Sequence, residues 1–282
     1  MKFISDNWIV ENLNSALRTW NGKLLELWEL ISQSPEHFKG GDIWAAVTGI
    51  HSAMQGVGYG LLVLFFAMGV FQSAASLQEL QRPEFALRHF IRFLAAKVAV
   101  GRGLELVTAI FRLCNGITQS VVTGMGDAVS VAATLPEEIT AAVEEVGFLQ
   151  SIPLWLVSLL GTVFITVMSF ILILTVYGRF FRIYIYTALS PLPLSSFAGE
   201  GTSASGKAFI RSYIGVCMEG AVIVPACFLY SAFLSSSTPA VDSSLPVVTM
   251  VWEYIGQMAF HMLILTGLVK GADSIVKEML GL

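Results

Sequence analysis

Apolar residues occur along this chain in runs long enough to cross a membrane. No Asp, Glu, Lys or Arg lies between Asp42 and Glu79, or between Glu145 and Arg179. About 20 apolar residues in a helix already span the hydrocarbon of a bilayer. The pattern predicts an all-α, polytopic transmembrane helical domain over residues 43–282. About five spans are expected, at residues 43–75, 104–125, 146–178, 214–234 and 247–269.

Residues 1–42 follow a different pattern, with apolar side chains on only one face of a helix. Leu13, Leu17, Trp20 and Leu24 recur at steps of three or four, and charged residues fill the other side. This period is typical of an amphipathic helix. Such a helix either lies at the membrane interface, here on the outer side, or packs against the protein's own helices, and the sequence leaves both open.

A third apolar stretch is too short and too interrupted to be a straight span. Residues 183–197 are apolar, but Pro191 and Pro193 break the stretch near its end. Proline removes a backbone donor and clashes with the preceding turn. The stretch therefore predicts a re-entrant or interfacial segment, or a bent helix, that returns to the side it came from.

Composition places the chain in the membrane and gives no sign of catalysis. Hydrophobic residues make up 55% of the chain and charged residues only 13%, against roughly 25% charged in soluble domains. Neither HExxH nor GxSxG occurs, and the three cysteines show no CxxC spacing. Residues 201–208 fit GxxxxGK, but Ala208 replaces the Ser or Thr that would bind magnesium. We therefore expect no enzyme, no cofactor and no metal.

The distribution of Lys and Arg predicts the topology. Residues 76–103 and 179–213 are rich in basic residues, whereas residues 126–145 contain none. Basic residues favour the cytoplasmic side. The pattern predicts cytoplasmic loops at 76–103 and 179–213, an outer loop at 126–145, an outer N-terminus and a cytoplasmic C-terminus.

Ionisable residues within the predicted spans are candidates for function, because a charge in the membrane is costly. They are Arg102, Glu105, Arg112, Glu219 and Glu253. The first three share a helix face and are expected to form an ion-paired strip. Glu219 and Glu253 are expected either to pair with those arginines or to face an aqueous path. Alternatively, each lies near a helix end and reaches the interface.

Two glycines in the first span are separated by one helical turn. Gly56 and Gly60 form a GxxxG step. Small residues at this spacing let helix backbones approach closely. The step predicts helix packing, either within one subunit or between subunits.

One region carries a resemblance to a known family. Residues 179–197 run from an Arg/aromatic stretch into ALSPLPLSSF, and a Gly/Ser loop with Lys207 and Arg211 follows. With the layout of spans over residues 43–280, this stretch resembles the TrbL-like polytopic inner-membrane component of type IV secretion and conjugation systems.

The resemblance implies a channel or scaffold subunit of the bacterial inner membrane that supports DNA–protein transfer or pilus assembly. It implies a homo-oligomeric ring, lipid contacts, other secretion subunits including ATPases, and a transient single-stranded DNA–protein substrate. The cytoplasmic residues Arg179, Arg182, Lys207 and Arg211 are then the expected docking sites for ATPases. The alternative function is a small-molecule or ion transporter, for which a second broken helix would be expected.

Overall fold

A computed structural model describes residues 6–73, 83–125, 133–236, 241–242 and 244–282. Throughout these residues the chain is helical or turns between helices, and no strand occurs in them, so the predicted all-α class is confirmed. The helices are α1 Asp6–Ser32, α2 Asp42–Ser73, α3 Pro83–Gly101, α4 Gly103–Met125, α5 Glu137–Glu144, α6 Phe148–Leu189, α7 Pro191–Ser195, α8 Ser203–Ser236 and α9 Val247–Leu280. Short 3-10 turns occur at Phe38–Gly40 and Ser196–Ala198.

Four of these helices are long and apolar enough to cross a membrane: Asp42–Gln72 in α2, Ser151–Leu189 in α6, Ser203–Ser236 in α8 and Val247–Leu280 in α9. They overlap four of the predicted spans, although residues 146–150 of the third precede Ser151 and residues 74–75 of the first lie outside the described residues. The predicted span 104–125 is also a helix, α4, but it is not among the four. A fifth span therefore stays a prediction.

Helix α6 continues well beyond the residue at which its apolar run ends. The predicted span stops at 178, whereas α6 runs on through Arg179 and Arg182 to Leu189. The helix is interrupted only at Ser190. Pro191 then begins α7, where its missing N–H costs no hydrogen bond. The first half of the predicted broken segment is thus part of a long helix, and the prolines mark the true break.

Much of the sequence predicted as loops is helical. Most of residues 179–213 belong to α6, α7 and α8. Residues 83–101 of the predicted loop 76–103 form α3, and residues 137–144 of the predicted loop 126–145 form α5. The parts 76–82 and 126–132 lie outside the described residues. Charge marks these segments as polar, but it does not exclude a helix.

The chain divides into two compact units. Unit 1 comprises residues 1–31, 121–177 and 222–272. Within it, α1 buries Leu13, Leu17 and Trp20. The apolar face of α1 thus packs inside the protein, one of the two arrangements that the sequence left open. The Tyr177 hydroxyl donates to the Glu26 carboxylate at 3.0 Å and holds α1 against α6.

Unit 2 comprises residues 32–120, 178–221 and 273–282. Its core includes side chains from α2, α3, α7 and the following 3-10 turn: Leu62, Ala96, Val100, Leu194 and Ala198. His51 of α2 lies 3.0 Å from the Thr187 carbonyl oxygen through its Nδ1 atom. Gln55 donates to the carbonyl oxygens of Val100 and Gly101, at the point where α3 ends. The His51 contact holds the end of α6, the helix that carries the candidate site, against α2.

Candidate functional site

Unit 2 contains a cluster of charged side chains from α6, α8 and α9, which we call the ion cluster: Arg179, Arg182, Glu219, Asp273 and Lys277. Arg182 lies at its centre. Its Nη2 atom is 2.7 Å from Glu219 Oε2, and its Nη1 atom is 3.0 Å from Asp273 Oδ1. Lys277 Nζ lies 2.8 Å from the other Asp273 oxygen. One guanidinium therefore joins carboxylates of two different helices.

Glu219 is the most deeply buried carboxylate of the cluster. Its side chain is only 3% exposed, whereas that of Arg182 is 36% exposed. Burial of an unpaired carboxylate costs several kcal/mol, and an arginine with good geometry offsets that cost. Because α6, α8 and α9 each supply a partner, loss of Arg182 would affect all three helices.

Arg179 lies one turn before Arg182 and is almost fully buried. It donates through Nη2 to the Cys217 carbonyl oxygen at 3.1 Å and through Nε to the Val216 carbonyl oxygen at 3.4 Å. A Cβ atom on Gly220 would lie 2.9 Å from two nitrogens of this guanidinium. Glycine at 220 therefore leaves the space in which Arg179 packs against α8.

The spacing of the charges explains how short segments of chain build the cluster. Arg179 and Arg182 are three residues apart and share one face of α6, and Asp273 and Lys277 are four apart on α9. A cavity of about 340 Å³ lies beside them, lined also by Tyr186 and Ser212. Within the described residues, no group of His, Cys, Asp and Glu is arranged to hold a metal. The interactions that the cluster makes are ion pairs and hydrogen bonds.

The structure distributes the predicted intramembrane charges differently from the expected strip. Arg112 pairs with Glu36 at 3.0 Å instead of with Glu105. Arg102 and Glu105 are exposed on or beside α4. No ion-paired strip therefore forms among Arg102, Glu105 and Arg112, because Glu36 reaches Arg112 from a neighbouring segment.

The two carboxylates predicted on later spans have different surroundings. Glu219 is buried and pairs with Arg182, not with Arg102 or Arg112. Glu253 is exposed in the second turn of α9. The end-of-helix alternative describes Glu253, whereas Glu219 belongs to the ion cluster.

The four predicted docking residues fall into two pairs. Arg179 is 1% exposed, so it is inaccessible to another protein. Arg182 is engaged by Glu219 and Asp273. Lys207 and Arg211 are exposed on the first turns of α8, and only these two present free cationic surface within the predicted set.

Close packing of α2 involves a different glycine from the predicted GxxxG step. Gly56 and Gly60 have nothing within 4 Å of a Cβ position. At Gly58, a Cβ atom would lie 2.9 Å from the Pro191 carbonyl oxygen and 3.0 Å from the Pro191 Cβ. Gly58 therefore permits α2 to contact α7, and Gly56 and Gly60 do not pack within the described part of the subunit.

Sequence reasoning missed Asp273, Lys277 and Gly58 as parts of these contacts. The spacing of four residues between Asp273 and Lys277 is a signal that was available. No signal distinguishes Gly58 from Gly56 and Gly60, because α2 is apolar on all sides. The partners of Arg182 lie 37 and 91 residues away in sequence, beyond any local pattern.

Comparison with known proteins supplies the family. The sequence profile of a family described as TrbL/VirB6 plasmid conjugal transfer like protein matches residues 21–191. No curated protein and no solved structure matches the chain significantly. The matched segment covers more than half of the chain, includes Arg179 and Arg182, and ends at the proline that begins α7. The resemblance carried by residues 179–197 is thereby confirmed, and this membrane protein belongs to the TrbL/VirB6 plasmid conjugal transfer family.

Proposed function

We propose that this chain is a membrane-embedded channel and scaffold subunit of a conjugative type IV secretion system, supporting DNA–protein transfer or pilus assembly. The observation that carries this proposal is the family match over residues 21–191. Membership of the family implies interaction with other subunits of a conjugation or secretion system. The role as channel and scaffold is supported by the ion cluster, the exposure of α2 and the basic start of α8.

The ion cluster supports a scaffold role. Charges within membrane helices are rare and are normally retained for a function. Here Arg182 links α6 to both α8 and α9 through short ion pairs. A subunit that transmits force or holds partners in register needs such fixed contacts between helices. Packing between apolar helices in lipid does little by itself to fix their relative orientation.

The exposure of α2 supports assembly into a homo-oligomeric ring. Only 17% of an 18-residue apolar stretch of α2 is buried inside the protein, compared with 61% of the corresponding stretch of α8. Its outward face is covered by lipid or by a second copy of the chain, and Gly56 and Gly60 lie open on this helix. We propose a closed ring of identical subunits in the inner membrane, with lipids filling the remaining apolar surface.

The basic start of α8 supports docking of a cytoplasmic ATPase. Lys207 and Arg211 are exposed and unpaired within the described residues. With the N-terminus outside and the C-terminus inside, these residues face the cytoplasm. The acidic residues at 137–145 face outward and disfavour direct contact with DNA phosphates, so contact with the single-stranded DNA–protein substrate is transient or indirect.

A mating assay tests this proposal. We expect donor cells that lack the chain to lose DNA transfer, and the wild-type chain to restore it. The double variant Lys207→Glu, Arg211→Glu is expected to reach the membrane normally but not to restore transfer, because reversed charge repels an acidic docking surface. Lys270→Glu, an exposed cation on α9, is the matched control and is expected to restore transfer.

Either of two results would contradict the proposal. If transfer persists without the chain while uptake of a small solute changes, the transporter alternative gains support. If the double variant restores transfer as well as the control does, the ATPase does not dock at the start of α8.

A further inference from the structure

A groove in unit 2 combines charged and apolar side chains at one end of α2. It has a volume of about 630 Å³ and is lined by residues of α2, α4 and the segment before α2. Its lining includes Glu36, Trp44, Glu105, Arg112 and Leu113. None of them belongs to the ion cluster or to the predicted docking residues of α8.

The groove contains one cationic and one anionic group that can bind a ligand. The cation is paired but keeps spare donors, and the anion is unpaired within the described residues. Arg112 Nη2 contacts Glu36 Oε1 at 3.0 Å, yet the Arg112 side chain is 70% exposed. A guanidinium has five N–H donors, so most of those on Arg112 remain available. Glu105 is exposed, and no described side chain pairs with it. The groove therefore offers both an anion-binding and a cation-binding group.

The spacing of these two groups limits the ligand. Glu105 and Arg112 lie seven residues apart on α4, which is about 10 Å along the helix axis. Both side chains line the same groove, so a single ligand that carries a cation and an anion can contact both of them. A zwitterion with an ammonium and a phosphate joined by a two-carbon link is such a ligand.

The position of Trp44 places the groove at the depth of lipid headgroups. Trp44 lies in the first turn of α2, and the candidate membrane span begins at Asp42. Tryptophan is enriched at the membrane–water interface. Leu113 is 73% exposed beside Arg112 and offers an apolar surface along which an acyl chain can lie.

We propose that this groove binds the headgroup of a phosphatidylethanolamine lipid, with the ammonium at Glu105 and the phosphate at Arg112. The two carboxylates and single guanidinium give the groove an excess negative charge, which disfavours lipids with a net negative charge. A choline headgroup has no N–H to donate to Glu105, whereas ethanolamine has three. This inference requires only that the chain lies in a membrane, and it is independent of the secretion role.

Native mass spectrometry of the full chain in detergent tests the proposal. The protein is titrated with dimyristoyl phosphatidylethanolamine, phosphatidylcholine and phosphatidylglycerol, and the bound fractions are compared. We expect binding of the ethanolamine lipid to be about tenfold tighter than that of the choline lipid, the ratio that one charge-assisted hydrogen bond supplies. Glu105→Gln is expected to reduce the ratio to about two or less.

Two further variants separate this site from general lipid binding. Arg112→Gln is expected to weaken the binding of both zwitterionic lipids to the same extent, because both carry the phosphate. Glu84→Gln, an exposed carboxylate on α3, is the matched control and is expected to keep the tenfold ratio. Equal binding of the ethanolamine and choline lipids, a preference that survives Glu105→Gln, or tightest binding of the glycerol lipid would each overturn the proposal.

Discussion

Replacement of Arg182 by methionine is expected to lower the free energy of unfolding by about 2–3 kcal/mol. The change leaves Glu219, which is 3% exposed, without its guanidinium partner. Breaking a fully buried pair costs about 3–5 kcal/mol, and the partial exposure of Arg182 reduces this figure. Equilibrium unfolding of the purified protein in mixed detergent micelles, followed by circular dichroism, measures the effect.

The chain contains a matched control for this substitution. Arg92 is also 36% exposed and pairs with Glu200 at 3.0 Å, but the Glu200 side chain is 48% exposed. Arg92→Met is therefore expected to cost no more than about 1 kcal/mol. Equal losses for Arg182→Met and Arg92→Met would show that the burial of Glu219 does not matter.

A double variant distinguishes lost pairing from lost packing. In Arg182→Met, Glu219→Met, the buried carboxylate is removed together with its partner. Replacement of both members of a buried pair by apolar residues is often nearly neutral. We expect the double variant to recover most of the stability that Arg182→Met loses, with Asp273 still held by Lys277 at 2.8 Å. Additive losses would contradict the pairing argument.

Replacement of Gly58 by alanine is expected to lower the free energy of unfolding by about 1–3 kcal/mol, the usual cost of overpacking. The new Cβ would lie 2.9 Å from the Pro191 carbonyl oxygen, a backbone atom that cannot rotate away. Either α2 or α7 must shift. The same unfolding measurement detects the loss.

Gly56→Ala and Gly60→Ala are the matched controls on the same helix. Nothing lies within 4 Å of either Cβ position, and alanine favours a helix over glycine by about 0.5–1 kcal/mol. We expect both variants to be neutral or slightly more stable as single subunits. If Gly56→Ala destabilises the single subunit as much as Gly58→Ala does, the face of α2 that packs on α7 is misassigned.

The sequence predicts where the apolar helices occur, but not where they end. Residues 146–178 are uncharged, so hydropathy places the end of the span before Arg179. The helix continues to Leu189, and its two arginines are accommodated by other helices: Arg179 donates to the Cys217 carbonyl oxygen and Arg182 pairs with Glu219. Hydropathy treats every arginine as exposed to solvent or lipid, and therefore cannot see such a pair.

The packing face of α2 shows a second limit of the same kind. A helix that is apolar all round gives no period from which its buried side can be read. The GxxxG spacing selects Gly56 and Gly60 as packing residues, whereas in the structure Gly58 is the glycine that lies against Pro191. Glu36 and Asp273 were missed for a related reason, since their partners come from distant segments.

The resemblance to a family was predictable because it rests on residues rather than on contacts. Residues 179–191 of the stretch that carried it lie inside the matched segment, which ends at 191. Arg179 and Arg182 of this stretch belong to the ion cluster. The segment that carries the resemblance therefore also contributes to the candidate site.

The central claim is that identical copies of this chain assemble into a closed channel or scaffold in the membrane. The mass of the purified full-length protein in nanodiscs, measured by native mass spectrometry, tests this claim most directly. We expect one discrete oligomer of several subunits, consistent with closed symmetry. A monomer or a dimer alone would contradict the ring and would shift support to the transporter alternative.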